Sequence, residues 1–240
     1  MSPYPLHTIL FLDIETVSQY ATFAEVPDDW GMLWRRKAEN MMRDKPAPTA
    51  EELYDRAAIY AEFGKIICIS CGVLSGPSAD RKLLLKSFAG DDEKELLLNF
   101  YDLLHRWGSE SQKFLCAHNG KEFDFPYLCR RMIIHGMKLP SVLNLSGKKP
   151  WEVPHIDTME LWKFGEYKSF ISLNLLAHTL GIPTPKDDID GSQVGEVYWS
   201  QRDLPRIVTY CQKDVATVAQ VYLRLNGEAL IRSENITIKP

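Results

Sequence analysis

Short apolar runs recur along the 240-residue chain and alternate with longer stretches of helical periodicity. The runs that are short, apolar or β-branched and bounded by turn residues predict strands over residues 7–14, 66–74, 82–88, 114–117 and 155–158. A Ser-Gly-Pro turn at residues 75–77 separates the second run from the third, which favours an antiparallel hairpin. The strands come mainly in the first half, and helices are interleaved later.

Apolar residues at helical spacing predict four main helices. One is capped by Asp91 and Asp92 and stopped by Gly108, and the others cover residues 125–135, 172–180 and 204–225. Proline near the start of two of these helices is compatible with a first helical turn. The pattern indicates a mixed α/β arrangement.

Residues 18–64 separate the first two predicted strands and form a helical insertion with two arms, divided by a Pro-Ala-Pro break at 46–48. We find no internal repeat, low-complexity tract or long charge block. The chain therefore reads as a single α/β domain over residues 1–240, with this one insertion after the first strand.

The composition restricts the partners and the compartment. A formal net charge of -4 gives no global attraction for phosphate backbones, so a nucleic-acid partner would be held by local contacts or by metal. The five cysteines lie mostly in apolar runs, which predicts buried free thiols without disulfides in a reducing compartment. The apolar N-terminal stretch lacks a basic start and is interrupted by Asp13, so we expect a cytoplasmic protein without a membrane span.

Two acids stand in the first predicted strand. Asp13 and Glu15 are two residues apart, and an extended backbone directs both carboxylates to one face of the sheet. This is a metal-site geometry. A solvated acid or a helix cap is the alternative, because paired acids at strand ends are common.

Two further clusters come later in the chain. Asp124 follows a strand and the flexible Gly120, directly before a helix, where an N-cap is the ordinary interpretation. Tyr210 and Asp214 are four residues apart in the last helix and therefore share one face. Taken singly, Asp214 reads as a surface acid and Tyr210 as a core aromatic.

The order and combination of the three clusters resemble the DEDD exonucleases of the ribonuclease H-like fold, in the subgroup with tyrosine in the third motif. The first motif maps to Asp13 and Glu15, the second to Asn119, Phe123 and Asp124, and the third to Tyr210 and Asp214. The segments 172–178 and 181–192 are also similar to bacterial predicted exonucleases related to the proofreading domain of family B DNA polymerases. The resemblance implies a mixed five-stranded sheet flanked by helices.

The resemblance also implies a site that holds two Mg²⁺ or Mn²⁺ ions. Asp13 would contact both ions, Glu15 and Asp214 would complete the first, and Asp124 would serve the second. Four carboxylates in one pocket repel one another and need cations, and hard cations prefer oxygen ligands. The Tyr210 hydroxyl would orient the attacking water, because a phenol among carboxylates is a poor base.

The expected partner is the 3' end of a single-stranded nucleic acid, with DNA preferred to RNA; protein partners stay unknown. Thr16, Asn119 and Phe123 are assigned to substrate binding, with core packing as the alternative for Phe123. Two basic and aromatic groups could add contacts to the strand. For residues 146–151 the alternative is a solvated loop, and for residues 30–37 the alternatives are a self-packed helix pair or a dimer contact. Acids in the loop 186–192 are read as turn chemistry.

Other residues and motifs do not indicate a different catalytic class. His118 is interpreted as a local hydrogen-bond partner rather than a base, and the Cys68-x-x-Cys71 pair as buried thiols rather than a zinc site. Phosphate-binding glycine loops, a serine nucleophile motif and a dinucleotide fingerprint are absent. The remaining alternatives are an exoribonuclease that trims short RNA and a catalytically silent nucleic-acid-binding module.

Overall fold

A computed structural model describes residues 4–41, 49–108, 112–183 and 189–239. Six strands form one sheet in the order β5-β4-β1-β2-β3-β6. The strands are β1 Ile9–Ser18, β2 Gly64–Ser75, β3 Lys82–Ala89, β4 Phe114–Ala117, β5 Ile156–Asp157 and β6 Ile236–Ile238. β1, β2 and β3 form an antiparallel meander, whereas β4 and β5 continue the sheet in parallel with β1.

The helices cover both faces of this sheet. They are α1 Asp28–Met41, α2 Glu93–Trp107, α3 Asp124–Ile134, α4 Thr158–Lys163, α5 Leu173–Thr179, α6 Val194–Glu196 and α7 Leu204–Leu225. A π-helical turn, Val197–Gln201, follows α6, and shorter 3-10 turns fill several connections. No helix within the described ranges is long and apolar enough to cross a membrane.

Strand β1 divides the core by the alternation of its side chains. Leu10, Leu12 and Ile14 belong to the cluster that α2 and α3 cover, while Ile9 and Phe11 belong to the cluster packed against α7. Asp13 and Glu15 continue the second series. The sheet therefore directs both acids towards the long helix α7 and away from α2.

The prediction of five strands is wrong by one. β6 pairs in parallel with β3 and extends the sheet beyond its expected edge. It is three residues long and mostly exposed, so it carries neither the apolar run nor the clear alternation by which the other strands were recognised. Helix α4 was also not expected, since it starts directly after β5 and is only six residues long.

Strand β1 is longer than predicted and continues to Ser18 beside β2. Its pairing with β4 ends at Phe11, so the acids do not close the strand as expected. They lie in a part of β1 that is paired with β2 alone, and an irregularity in the register follows between Glu15 and Thr16.

The insertion packs on itself around Trp34, which is 0% exposed and whose indole N–H donates to the Ala50 carbonyl at 2.7 Å. Arg35 stacks on Phe23, so its charge is engaged within the insertion. Of the two predicted arms, α1 is helical and the second contains the 3-10 helix Tyr54–Ile59. Trp34 and Arg35 therefore fit the self-packed interpretation, whereas Trp30 and Arg36 of the same group are exposed. The proline break at 46–48 lies outside the described residues.

A buried ion-pair network anchors helix α3, the helix that begins at Asp124. Glu93 accepts hydrogen bonds from the Arg131 guanidinium, from His135 and, at 2.7 Å, from the backbone N–H of Ile66. Arg131 also donates to the Ala61 carbonyl at 2.8 Å. This buried, paired charge joins the last turn of α3 to α2 and β2.

Candidate active site

Four carboxylates from three distant segments of the chain converge between β1, α3 and α7. Asp13 and Glu15 come from β1, Asp124 is the first residue of α3, and Asp214 lies in α7. Asp214 raises the pKa of Asp13, Glu15 and Asp124, and Asp124 raises the pKa of Asp13 and Glu15, which requires these carboxylates to be close neighbours. The structure therefore brings together the four acids that the sequence had placed in one set.

Burial is the main cause of the raised pKa values of the acids in this cluster. It raises the pKa of Asp13 and of Glu15 well above their ordinary values, and the neighbouring carboxylates add to the shift. Burial also raises the pKa of Asp124 to about 7, and Asp157 and Asp214 contribute further. One oxygen of Asp124, Oδ1, is buried without a hydrogen-bond partner among the described residues. A buried acceptor of this kind is costly unless a cation or donor meets it.

The N-cap interpretation of Asp124 is not supported. The residue before it, Phe123, occupies the cap position of α3 and makes no side-chain capping bond. Phe123 instead packs against the main core and has its ring 5.3 Å from that of Tyr127. Asp124 is free to face the other acids.

Tyr210 and Cys211 complete the cluster from helix α7. The Tyr210 hydroxyl hydrogen-bonds to Asp214, and burial, followed by Asp214, Glu15 and Asp13, raises its pKa far above the ordinary value. It therefore stays protonated and donates to Asp214 at neutral pH. The Cys211 thiol, whose pKa burial also raises, donates to Asp13 Oδ2 at 3.3 Å.

Sequence reasoning missed Cys211. One potential ligand atom from each of Asp13, Glu15 and Cys211 lies within 4.8 Å of the others. Cys211 precedes Asp214 by three residues, so both lie on one face of the helix, and this spacing could have identified Cys211 from the sequence. As a neutral thiol among carboxylates, it holds Asp13 in place by a hydrogen bond.

The turn that carries Asn119 is organised by Asp157, a second residue that the sequence did not reveal. Asp157 Oδ1 accepts from the backbone N–H of Asn119 at 2.9 Å, and Oδ2 accepts from that of Lys121 at 3.1 Å. Asp157 also caps α4 by accepting from Met159 and Glu160. One buried carboxylate thus joins β5, α4 and the turn before Asp124.

Backbone geometry explains the glycine of this turn. Asn119 has a left-handed φ of 62°, and the next residue, Gly120, is in close contact with its surroundings. A Cβ on Gly120 would lie 2.5 Å from the Cβ of Ala117 and 2.9 Å from the ring of Phe125. The amide oxygen of Asn119 is buried without a partner among the described residues, so it can accept a hydrogen bond from a ligand.

The other predicted contacts take different places. Thr16 hydrogen-bonds to the Tyr127 hydroxyl, at the junction with the insertion. His118 is a local hydrogen-bond partner: its Nδ1 bonds Thr158 Oγ1 at 2.9 Å and its Nε2 bonds the Ile171 carbonyl at 2.8 Å.

All five cysteines are free thiols, including the Cys68 and Cys71 pair. Asp190 accepts from the Ser192 N–H, while 184–188 lie outside the described residues.

The donor set fits a hard divalent cation. Four carboxylates offer oxygen ligands, which Mg²⁺ and Mn²⁺ prefer, and their repulsion and the unpartnered Asp124 oxygen are relieved by positive charge. The thiol of Cys211 stays protonated and is already engaged with Asp13. The residues at this position can therefore form a carboxylate metal site.

The sheet order, with one antiparallel meander continued by two parallel strands and helices on both faces, is that of the ribonuclease H-like fold. A family B DNA polymerase from Pyrobaculum calidifontis is similar over 92% of this chain and 24% of its own, with a TM-score of 0.53 and 16% identity. That likeness supports the fold alone.

The family model that matches residues 59–232 is described as "Predicted 3'-5' exonuclease related to the exonuclease domain of PolB", and the chain belongs to this family. The matched region includes Asp124, Tyr210 and Asp214 but begins after Asp13 and Glu15. A protein of Methanocaldococcus jannaschii that is itself named as uncharacterized is 26% identical over 132 residues. The match spans 54% of this chain and 65% of that relative.

Proposed function

We propose that this protein is a metal-dependent 3'-5' exonuclease that removes nucleotides from the 3' end of single-stranded DNA by two-metal-ion phosphodiester hydrolysis. The observation that carries the proposal is the convergence of Asp13, Glu15, Asp124 and Asp214 in one buried cluster, with Tyr210 hydrogen-bonded to Asp214. Membership of a family of predicted 3'-5' exonucleases supports the same reaction. We infer a cytoplasmic location and a role in DNA repair.

The four acids would hold two Mg²⁺ or Mn²⁺ ions, which supply charge neutralisation, a water of lowered pKa and stabilisation of the departing 3' oxygen. The protein's own groups do the remaining work. Tyr210 stays protonated and can orient a water beside Asp214, because its raised pKa makes it a donor rather than a base. Cys211 keeps the Asp13 carboxylate in a fixed orientation.

Substrate positioning is assigned to the turn between β4 and α3. Asn119 presents a buried, unpartnered amide oxygen, which can accept from a sugar hydroxyl or a base. Phe123 supports the turn from the core side, since it packs against the core rather than projecting into solvent. Thr16 stands beside Tyr127 and supports the wall of the site from the insertion side.

The test is degradation of a 5'-labelled single-stranded DNA and its RNA counterpart with Mg²⁺, Mn²⁺ or EDTA. We expect ladders that shorten from the 3' end, faster on DNA, and that disappear in EDTA and in Asp13→Ala. Asp102→Asn on the exposed surface of α2 is the matched control and should degrade DNA like the wild type. Intact DNA and RNA with every metal would instead favour a catalytically silent binding module, and faster loss of RNA an exoribonuclease.

A further inference from the structure

Exposed aromatic side chains are concentrated in one loop next to the candidate active site. Phe164 and Tyr167 are 85% and 87% exposed, more than any other large hydrophobic residue in the described ranges, and Phe170 is 68% exposed. We call residues 164–170 the aromatic loop. Three solvated rings within seven residues are unusual for a surface without a partner.

The aromatic loop is held firmly at both ends. Trp162, just before it, packs against the small cluster around Leu176 and Val221, and Ile171, just after it, packs there too. Phe164 has a left-handed φ of 45°, which is a strained conformation for a bulky side chain. The fold therefore turns the rings outward although the adjoining residues Trp162 and Ile171 are partly buried.

His118 and Asp157 tie the aromatic loop to the turn that carries Asn119. His118 bonds to Thr158 at the start of α4 and to the Ile171 carbonyl at the end of the loop. Asp157, immediately before α4, bonds the backbone of Asn119. The loop is thus fixed to the same turn that leads into Asp124.

Lysines interleave with the rings and continue towards the site. The Lys163 ammonium lies 4.7 Å from the centroid of the Phe170 ring, and Lys168 is exposed within the loop. Lys163 also lines a cavity of about 530 Å³ that reaches Asn119 and includes Lys121 and Lys148. Lys121 is paired with Glu160 at 2.6 Å, so Lys148, Lys163 and Lys168 are the lysines that this region offers to a ligand, in a chain whose net charge is -4.

Rings and cations in alternation match the chemistry of a single nucleic-acid strand, whose bases stack on aromatic faces and whose phosphates pair with lysines. A second copy of this chain or an acidic protein would explain the lysines but not three exposed rings beside the turn that leads into the candidate active site. We propose that the aromatic loop is a stacking platform for the nucleotides of the single strand that lie upstream of the scissile 3' end. This inference rests on the proposed exonuclease function.

The first test measures binding alone, by fluorescence anisotropy in EDTA, where hydrolysis does not occur. The probes are 5'-labelled oligothymidylates of about 4 and about 12 nucleotides and an oligouridylate of the longer length. We expect Phe164→Ala, Tyr167→Ala and Phe170→Ala each to weaken binding of the longer DNA about 5- to 20-fold. Binding of the shortest probe should change little, and equal losses on the oligouridylate would show that the platform does not select the sugar.

Two variants make this test specific. Tyr167→Phe keeps the ring and should bind like the wild type, which separates stacking from a general loss of structure. Leu98→Ala removes an exposed apolar side chain from α2, on the opposite face of the sheet, and should also bind like the wild type. Unchanged affinity of the three alanine variants for the longer DNA would overturn the proposal. The proposal would also be overturned if the alanine variants lost self-association in sedimentation but kept their oligonucleotide binding.

A second measurement separates this inference from the exonuclease proposal. With Mn²⁺, the alanine variants should show a raised KM on the longer DNA, an unchanged kcat and unchanged turnover of the shortest substrate. If the wild type degrades DNA and the variants keep the same length dependence, the platform is wrong and the exonuclease stands. If the wild type degrades nothing but the variants still lose binding, the exonuclease is wrong and the platform stands.

Discussion

At the scale of single residues, the hydroxyl of Tyr210 and the carboxylate of Asp214 form one unit with separable contributions. Tyr210→Phe removes only the hydroxyl that donates to Asp214, so water is oriented less well while all four acids remain. We expect the rate of DNA hydrolysis to fall about 100-fold. Asp214→Ala removes an acid of the cluster. DNA hydrolysis by this variant should fall further, to the background rate of the Asp13→Ala protein.

Metal-induced stabilisation checks this distinction. The rise in Tm on addition of Mn²⁺ should persist in Tyr210→Phe and be lost in Asp214→Ala. A Tyr210→Phe protein as inactive as Asp214→Ala, with its rise in Tm intact, would show that the hydroxyl does more than orient water.

Asp157 is predicted to act through the backbone that it holds. Asp157→Asn replaces a carboxyl group that accepts from four backbone N–H groups by an amide, so the turn at Asn119 should loosen. We expect stability to fall by about 1.5–3 kcal/mol, the usual contribution of bonds to a charged group. DNA hydrolysis should slow as well. Urea unfolding and steady-state kinetics measure the two effects.

The matched control for Asp157 is Asp92→Asn. Asp92 caps α2 by accepting from the Glu95 N–H, far along the sequence from the candidate active site. The Asp92→Asn protein should lose some stability but no activity, because the Asp92 side chain caps only α2. Equal rates for Asp157→Asn and the wild type would mean that the turn keeps its geometry without this carboxylate.

At the scale of secondary-structure elements, the insertion forms a small separate core whose stability depends on Trp34. Trp34→Ala leaves a cavity and removes the bond to Ala50, which together cost about 3–5 kcal/mol. The insertion should then open locally, because its buried cluster is distinct from the cores on the two faces of the sheet. Limited proteolysis should reveal new cuts within residues 28–60, while the sheet stays protected. Trp30→Ala, at a half-exposed ring, is the control and should add no cuts.

The elements that the sequence predicted well are those with a strong local signal. The strand Phe114–Ala117 and the helix Leu204–Leu225 were predicted with the bounds that the structure has, because an apolar run and a long amphipathic period define them. β6 and α4 were missed, since three or six residues carry too little periodicity. The extension of β1 to Ser18 depends on pairing with β2, which is a long-range contact that no local pattern reports.

The sequence predicted the four acids of the candidate site but not Asp157 and Cys211, the residues that hold them or their turn in place. Asp13, Glu15, Asp124 and Asp214 each have an ordinary interpretation when taken singly, and they stand out because their order and combination resemble the three motifs of a known family. Asp157 and Cys211 act through contacts that join segments far apart in the chain, about 40 and 200 residues away, as the spacing of their partners shows. Only the folded chain reveals such contacts.

At the scale of the whole molecule, the buried acids couple the stability of the fold to pH and to metal. The pKa of Asp124 is raised to about 7 from an ordinary 3.8, so between these values the folded protein binds more protons than the unfolded one. Stability in EDTA therefore increases as pH falls from above 7 towards 4, and decreases as pH rises. Divalent cations favour the ionised carboxylates and should cancel this trend by stabilising the folded state above pH 7.

Calorimetry of the wild type and Asp124→Asn tests this coupling, with Tm measured in EDTA and in Mn²⁺ at about pH 6 and about pH 8. In EDTA the wild type should have the higher Tm near pH 6, whereas Asp124→Asn should vary less with pH, because its amide does not titrate. Mn²⁺ should raise the wild-type Tm most near pH 8 and the variant's Tm less. Asp102→Asn keeps all four acids and should follow the wild type, so a difference confined to Asp124→Asn assigns the effect to the cluster. A wild-type Tm in EDTA that rises with pH would contradict the burial of these carboxylates.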